Sequence, residues 1–106
     1  MAMRIAADLH THTVASTHAY STVLENARFA RAKGLEAIAV TDHGPASADG
    51  AHRYHFLNMQ VLDRKIDGVF VLRGAEANII KGGAVDISDK LLKKLDFVIA
   101  SFHDSS

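Results

Sequence analysis

The sequence predicts an α/β fold with parallel strands, built from about four strand–helix units. Short apolar runs alternate along the chain with amphipathic stretches. Such alternation is typical of parallel sheets, because a parallel return needs a crossover of a dozen residues or more. Polar residues that end the apolar runs, His10, His43, Glu76 and His103, recur at intervals of roughly 30 residues, the length of a βαβ unit. We therefore expect each of them at the carboxyl end of a successive strand.

The first half of the chain contains two predicted strands and one well-marked helix. Residues 5–9 form an apolar run that leads into His10 and is predicted as the first strand. Residues 22–25 match a capping box, which opens a helix that Gly34 ends. The second strand is predicted over Ala37–Val40.

The second half alternates in the same way. Gly68 ends a helical pattern, Gly82 and Gly83 suit the turn of a small hairpin, and Ser88 can cap a short helix. The predicted elements are a helix over 56–66, a third strand over 69–76, a hairpin over 79–87, a short helix over 90–95 and a fourth strand over 97–100.

Composition excludes several functions. The chain of 106 residues has 12 Lys and Arg against 12 Asp and Glu, and no Cys. Zero net charge gives no general argument for binding nucleic acid or anionic membranes, and without Cys there is no disulfide framework or thiolate zinc site. No apolar run approaches the ~20 residues of a membrane span. The sequence therefore predicts a cytoplasmic protein without nucleic-acid or membrane partners.

Histidine and glutamate side chains form the candidate metal site. His10 and His12 stand two residues apart on a strand and so point to one side, with Cα atoms roughly 6.6 Å apart. Two imidazoles at that distance can bind one ion at the usual Zn–N distance of about 2.0–2.1 Å. His18 can fold back over the same face, and the two oxygens of Glu76 can bridge two cations.

A single histidine at a strand end is more often solvated or hydrogen-bonded than bound to a metal. The joint pattern is different, since structural histidines have no reason to follow the period of a βα repeat. The pattern of five histidines and one glutamate therefore predicts metal binding, through His10, His12, His18, His43, Glu76 and His103.

Several segments resemble motifs of one family and follow one another in its order. They are DLHTHT from Asp8, VASTHAYS from Val14, TDHG from Thr41, RGAEAN from Arg73 and IASFH from Ile99. Together they resemble the N-terminal motifs of the PHP (polymerase and histidinol phosphatase) superfamily, and most closely its small stand-alone bacterial phosphatases with a trinuclear zinc site. The resemblance covers essentially the whole chain.

The resemblance implies a distorted (β/α)7 TIM-like barrel that holds up to three divalent ions and hydrolyses phosphate monoesters. Zinc is the first expectation, and the oxygen and imidazole donors also suit manganese or iron. The implied ligands are His10 and His12 for the first metal, Glu76 shared by the first and second, His103 for the second, and His18 and His43 for the third.

The chemistry expected of such a site is attack by a metal-bound hydroxide on the phosphoryl group. Glu76, His10 and His12 are then the catalytic residues. The substrate is expected to be a small phosphorylated molecule, which the sequence does not identify.

Further candidates are less specific. Asp8 and Asp42 stand beside ligands and can accept the second N–H of a ligating imidazole, or they serve only local hydrogen bonds. His52, Arg53 and His55 can contact substrate, but an exposed polar loop is the more common explanation.

The chain length departs from the family pattern. A βα barrel takes about 200–250 residues, and ligands that the family takes from later strands, a His and an Asp-x-His pair, are not in this sequence. Residues 1–106 are therefore expected to form the N-terminal part of a single PHP domain, which could self-associate through unpaired sheet edges. The alternative functions are a non-catalytic metal-binding fragment and a nuclease or other phosphoesterase of the same family.

Overall fold

The computed structural model describes residues 6–102 of the chain. The elements, in chain order, are β1 (Ala7–Thr11), α1 (Val23–Ala32), β2 (Ala37–Val40), α2 (Arg53–Asn58), a 3-10 turn (Met59–Val61), β3 (Lys65–Ile66), β4 (Val69–Asn78), α3 (Asp89–Leu92) and β5 (Phe97–Ser101).

The strands form one curled sheet with β4 at its centre. β1 pairs with β2, and β2 pairs with the first half of β4, all in parallel. The second half of β4 pairs in parallel with β5, from Gly74↔Phe97 to Asn78↔Ser101, while the short β3 lies antiparallel against the start of β4. The curled sheet is a half-barrel, which confirms the predicted α/β fold with part of a TIM-like barrel.

Burial separates the central strands from the outer ones. On β2 and β4, Ile38, Val40, Val69 and Val71 are almost completely buried, and Phe56 of α2 packs into the same core. By contrast, the middle three residues of β1 are exposed, and exposure alternates along β5. The hydrophobic core therefore lies on the two central strands.

The start of α1 follows the predicted capping box. Thr22 Oγ1 accepts a hydrogen bond from the backbone N–H of Glu25, and Glu25 Oε1 accepts one from the backbone N–H of Thr22. Beyond the other end of α1, Gly34 has a φ of 78°, which glycine adopts without strain. Both predicted ends of this helix are confirmed.

The predicted helix over residues 56–66 is wrong at both ends. Helix α2 begins at Arg53 and ends at Asn58, and Ile66 lies in β3. The reason is a two-residue hairpin between β3 and β4, in which Asp67 and Gly68 both have positive φ, 51° and 79°. Asp-Gly is a preferred pair for this tight turn, so the chain reverses at a point where a longer helix was expected.

The remaining predictions agree with the structure to within a few residues. The first strand is two residues later than predicted, and Ile5 lies outside the described residues. The hairpin is present as the antiparallel bridge Ile79↔Val85. Ser88 Oγ caps α3 by accepting from Leu91 N. Among residues 6–102, no helix has the length and apolar character needed to cross a membrane.

Candidate metal centre

Two histidines and one glutamate meet at the carboxyl ends of β1 and β4. His12 Nε2 lies 3.1 Å from His10 Nε2 and 3.6 Å from Glu76 Oε1, and His10 Nε2 also contacts Glu76 Oε1. We call these three residues the strand-end group. The parallel register of the sheet brings them together, because the carboxyl ends of β1, β2 and β4 lie at one edge.

The strand-end group fits a divalent ion. Ligand atoms that surround one tetrahedral zinc at 2.0–2.1 Å lie about 3.3 Å from one another, close to the separations of His12 Nε2 from its two neighbours. Glu76 is 5% exposed, and a carboxylate this buried needs a cation or strong hydrogen-bond donors. Two imidazoles and one carboxylate form a donor set that suits zinc, manganese or iron.

A second group shares His12 and adds two histidines from loops. Donor atoms of His12, His18 and His43 lie within 4.8 Å of one another, and their ring centroids are 4.5 to 5.2 Å apart. We call these three residues the loop group, since His18 follows β1 and His43 follows β2. They are close enough to converge on a second ion.

His12 is the residue common to both groups. Burial, and next to it the neighbouring His43, lowers the pKa of His12 below its ordinary value, which favours the neutral ring that binds metals. Its Nδ1 atom is buried and has no hydrogen-bond partner among residues 6–102. A buried ring nitrogen of this kind fits a metal centre.

Glu76 also faces both groups. Its Oε1 contacts the strand-end histidines, whereas its Oε2 lies 3.0 Å from His43 Nδ1. Ser101 Oγ, at the end of β5, donates to Glu76 Oε2 over 3.5 Å. With its two oxygens directed at different histidines, Glu76 has the arrangement that bridging two ions requires.

Asp42 is completely buried and organises the loops that carry His18 and His43. Its carboxylate accepts hydrogen bonds from Thr13 N, Thr13 Oγ1 and Ser16 Oγ. His55 Nε2 lies 3.0 Å from Asp42 Oδ2. Burial by itself would raise the pKa of Asp42, but the adjacent His55 imidazole, together with the hydrogen bonds that the carboxylate accepts from Thr13 and Ser16, lowers this pKa to about 2.

Asp8 and Asp42 therefore act differently from each other. Asp8 accepts a hydrogen bond from the backbone N–H of His10 and reaches no imidazole through any bond found among the described residues. Asp42 stands 4.0 Å from His12 Nδ1 and binds mainly to the loop residues. The function of both aspartates at a loaded metal centre stays a prediction.

The three residues considered for substrate contact lie in different places. His52 caps α2, because its Nδ1 accepts from Tyr54 N, and Arg53 stacks on the Tyr54 ring. Both line a cleft of about 710 Å³ between α2 and α3, which none of the metal-group histidines lines. His55 instead faces Asp42.

Asp49 belongs to the centre and was not predicted. Its Oδ2 lies 3.0 Å from His18 Nδ1 and 3.9 Å from His43 Nε2. No spacing in the sequence marks Asp49, which stands in an irregular loop. His103, the remaining predicted ligand, lies outside the described residues, so its assignment stays a prediction.

Comparison with known proteins gives consistent matches. The model of the PHP domain matches residues 8–106. A protein named "probable phosphatase" from Caldanaerobacter subterraneus is 53% identical over 105 residues, which cover 98% of this chain and 41% of that protein. A "probable phosphatase" from Proteus mirabilis is 54% identical over 99 residues, covering 92% of this chain and 40% of that protein. The chain thus spans about two fifths of the length of the curated relatives it matches, in agreement with the expected N-terminal portion.

Proposed function

Because the chain belongs to the PHP domain family, we propose that it provides the strand-end and loop groups of a metal-dependent phosphatase that hydrolyses phosphate monoesters. One observation carries the proposal: His10 Nε2, His12 Nε2 and Glu76 Oε1 converge at the carboxyl edge of the half-barrel. In α/β folds with parallel strands this edge is where catalytic sites form.

Within this proposal, His10, His12 and Glu76 would hold one divalent ion, and Oε2 of Glu76, which lies 3.0 Å from His43 Nδ1, would face a neighbouring site. A bound divalent ion would lower the pKa of a water molecule and would neutralise negative charge on the phosphoryl group. The chain's own contribution is orientation. Glu76 is fixed within the longest strand, and the neutral ring of His12 is available as a ligand because burial lowers its pKa.

The metal is proposed to be zinc, with manganese or iron as the alternatives that the same donors allow. Three supporting roles belong to the same proposal: Asp42 orients the loop histidines, His103 adds a ligand, and His52, Arg53 or His55 contacts the organic part of the substrate. Of these three residues, His55 contacts Asp42, with its Nε2 3.0 Å from Asp42 Oδ2.

The test is a metal-reconstituted phosphatase assay. The chain, and a version extended to the full length of its relatives, are loaded separately with zinc, manganese and iron and assayed with para-nitrophenyl phosphate, and metal content is measured by ICP-MS. Metal-dependent turnover supports the proposal. Absence of metal from both forms contradicts it.

The competing function is a metal-binding module without catalysis, favoured by the exposure of about half of the His10 side chain. Stoichiometric metal without turnover in either form supports the module. A nuclease or another phosphoesterase of the family is recognised by the same assay with single-stranded DNA or a phosphodiester in place of the monoester.

We make three further proposals about the protein. Residues 1–106 form one incomplete domain, the protein works in the cytoplasm on a small phosphorylated substrate, and copies associate through the outer strands. Size-exclusion chromatography with light scattering tests the last of these.

A further inference from the structure

The loop between β2 and α2, residues 43–51, carries His43 and Asp49 and contains no helix or strand apart from the isolated bridge between His43 and Glu76. We call it the β2 loop. Its backbone is tied to the loop of His18 by the bond from Thr17 N to Asp49 O. The positions of the His43 and Asp49 side chains therefore depend on what fixes this loop.

Asp86 fixes one side of the β2 loop. Its Oδ2 accepts from Ala46 N over 2.9 Å and from Asn78 Nδ2 over 2.7 Å, and its Oδ1 accepts from Asn78 N over 2.8 Å. Asp86 belongs to the hairpin after β4, so a carboxylate forty residues further along the chain holds the loop.

Asn78 fixes the loop at two more points. Its Nδ2 donates to Gly44 O over 3.2 Å, and its Oδ1 accepts from Ser47 Oγ over 2.8 Å. Asn78 is 4% exposed and stands two residues after Glu76 on β4. The strand that carries Glu76 thus also carries the residue that holds the β2 loop.

Gly44 shows how closely the loop approaches Asp86. A Cβ atom at this position would collide with the carboxylate of Asp86. Gly44 N also donates to Glu76 O over 2.9 Å. A side chain at position 44 would have to displace the Asp86 carboxylate from its hydrogen bonds to Ala46 and Asn78.

From these contacts we propose that Asp86 and Asn78 are positioning residues that set the place of His43 and Asp49 in the loop group. This inference rests on the proposed function, since it concerns the metal centre of that function. Neither side chain is a ligand in it. They act through the backbone of the β2 loop, as outer hydrogen-bond partners do at other metal sites.

The test compares three variants: Asp86→Asn, Ser47→Ala and the matched control Asp89→Asn, an exposed aspartate of α3 that lines neither group. Zinc affinity and stoichiometry are measured by titration with ICP-MS, and His18→Ala identifies the equivalent that binds at the loop group. In the metal-free protein, amide hydrogen exchange is followed at Gly44 and Ala46.

Asp86→Asn is expected to lower the zinc affinity of the loop group, the site that His18→Ala removes, by roughly 10–100-fold. It leaves the strand-end equivalent in place and accelerates exchange at Ala46. Ser47→Ala removes one hydrogen bond without a buried charge, so it folds and gives a smaller change in the same direction, roughly five-fold. Asp89→Asn changes neither quantity.

The outcomes separate this inference from the proposed function. If His18→Ala loses one equivalent but Asp86→Asn and Ser47→Ala bind it with wild-type affinity, the positioning role is overturned and the proposed metal centre stands. Equal weakening of both equivalents also overturns it, because a purely structural role lowers all affinities together. If neither the wild-type chain nor its extended form binds zinc, manganese or iron, the proposed function fails. Hydrogen exchange at Ala46 then still decides whether Asp86 holds the β2 loop, and unchanged exchange in Asp86→Asn overturns that role.

Discussion

The strand-end group and the loop group are built by different means. Glu76 lies within the regular ladder that pairs β4 with β5, and His10 lies in β1, whose pairing with β2 is irregular between Asp8 and Thr11. His18 and His43 lie outside named strands. Apart from the backbone bridge between His43 and Glu76, the buried Asp42 and the half-buried Asp86 hold the loops that carry them. A ligand on a strand needs little further support, whereas a ligand on a loop depends on side-chain hydrogen bonds that leave no backbone polar group unpaired.

This difference divides the sequence into two kinds of functional residue. The strand-end residues act directly, and Glu76 stands between Ala75 and Ala77, which belong to the core. The loop residues act only if Asp42 and Asp86 keep the loops in place. Substitutions that leave every histidine intact should therefore affect the two groups unequally.

The largest effect is expected for Glu76→Gln, which should impair both groups at once because Glu76 faces both of them. The amide keeps the shape of the side chain but removes the charge and one acceptor, so both groups lose metal. We expect metal affinity to fall by more than the roughly 100-fold that loss of an outer partner costs, and activity to disappear. ICP-MS and the para-nitrophenyl phosphate assay measure the two losses, with the exposed Asp63→Asn as control. Full activity in Glu76→Gln contradicts the assignment.

The second effect is on stability and depends on pH through Asp42. Its pKa in the folded protein is about 2 against an ordinary value of 3.8, so its ionised form stabilises the fold. That contribution, about 2 kcal/mol, is fully present above pH 3.8 and is lost as the pH falls through 2. Asp42→Asn should lose at least this much at neutral pH and lack the corresponding acid dependence. Urea unfolding of metal-free protein at several pH values measures both, and a wild-type acid dependence in the variant contradicts the role.

Local patterns in the sequence predicted the four longer strands and the capping box correctly, because each depends on neighbours along the chain. The same patterns singled out His10, His12 and Glu76, which the structure brings together. The period of the strands places His10 and Glu76 at one edge without knowledge of any contact. The hairpin at Asp67 and Gly68 also has a local signal, the Asp-Gly pair, but the helical spacing of residues 56–66 was given more weight.

The support of the loop group could not be predicted in this way. The partners of Asp42 lie at Thr13 and Ser16, and those of Asp86 at Ala46 and Asn78. The contacts of Asp42 with Thr13 and Ser16, and of Asp86 with Ala46, join residues 26 to 40 positions apart and arise only after the sheet has formed. Asp49 is an acidic residue in a loop, and nothing local separates it from a solvated one. The fold and the convergence of His10, His12 and Glu76 can thus be predicted from one sequence, whereas the hydrogen-bonded supports cannot.

Ser16→Ala has a smaller expected effect and tests whether the loop group is supported separately from the strand-end group. Ser16 Oγ donates to Asp42 Oδ1 over 2.8 Å and accepts from His43 N over 3.0 Å, and the residue is completely buried. Its removal leaves both partners short of a bond, at a cost of about 1–2 kcal/mol in the free energy of unfolding. We expect the loop group to lose roughly 10-fold in zinc affinity and the strand-end group to keep its own. Equal losses at both groups, measured by zinc titration, contradict the separate support of the loops.

The smallest effect, on stability alone, is expected for Thr22→Ala. This change removes the N-cap of α1, whose bonds to Glu25 make no contact with either group, and costs about 1 kcal/mol in the free energy of unfolding. Because the two variants should lose similar amounts of stability, a difference in their zinc affinities cannot come from stability and must come from the support of the loops. Zinc affinity at the loop group should be unchanged in Thr22→Ala and reduced in Ser16→Ala, by titration at a temperature where both variants are folded. If both variants lose affinity equally, metal binding follows global stability and the hydrogen bonds of Ser16 have no particular role in the loop group.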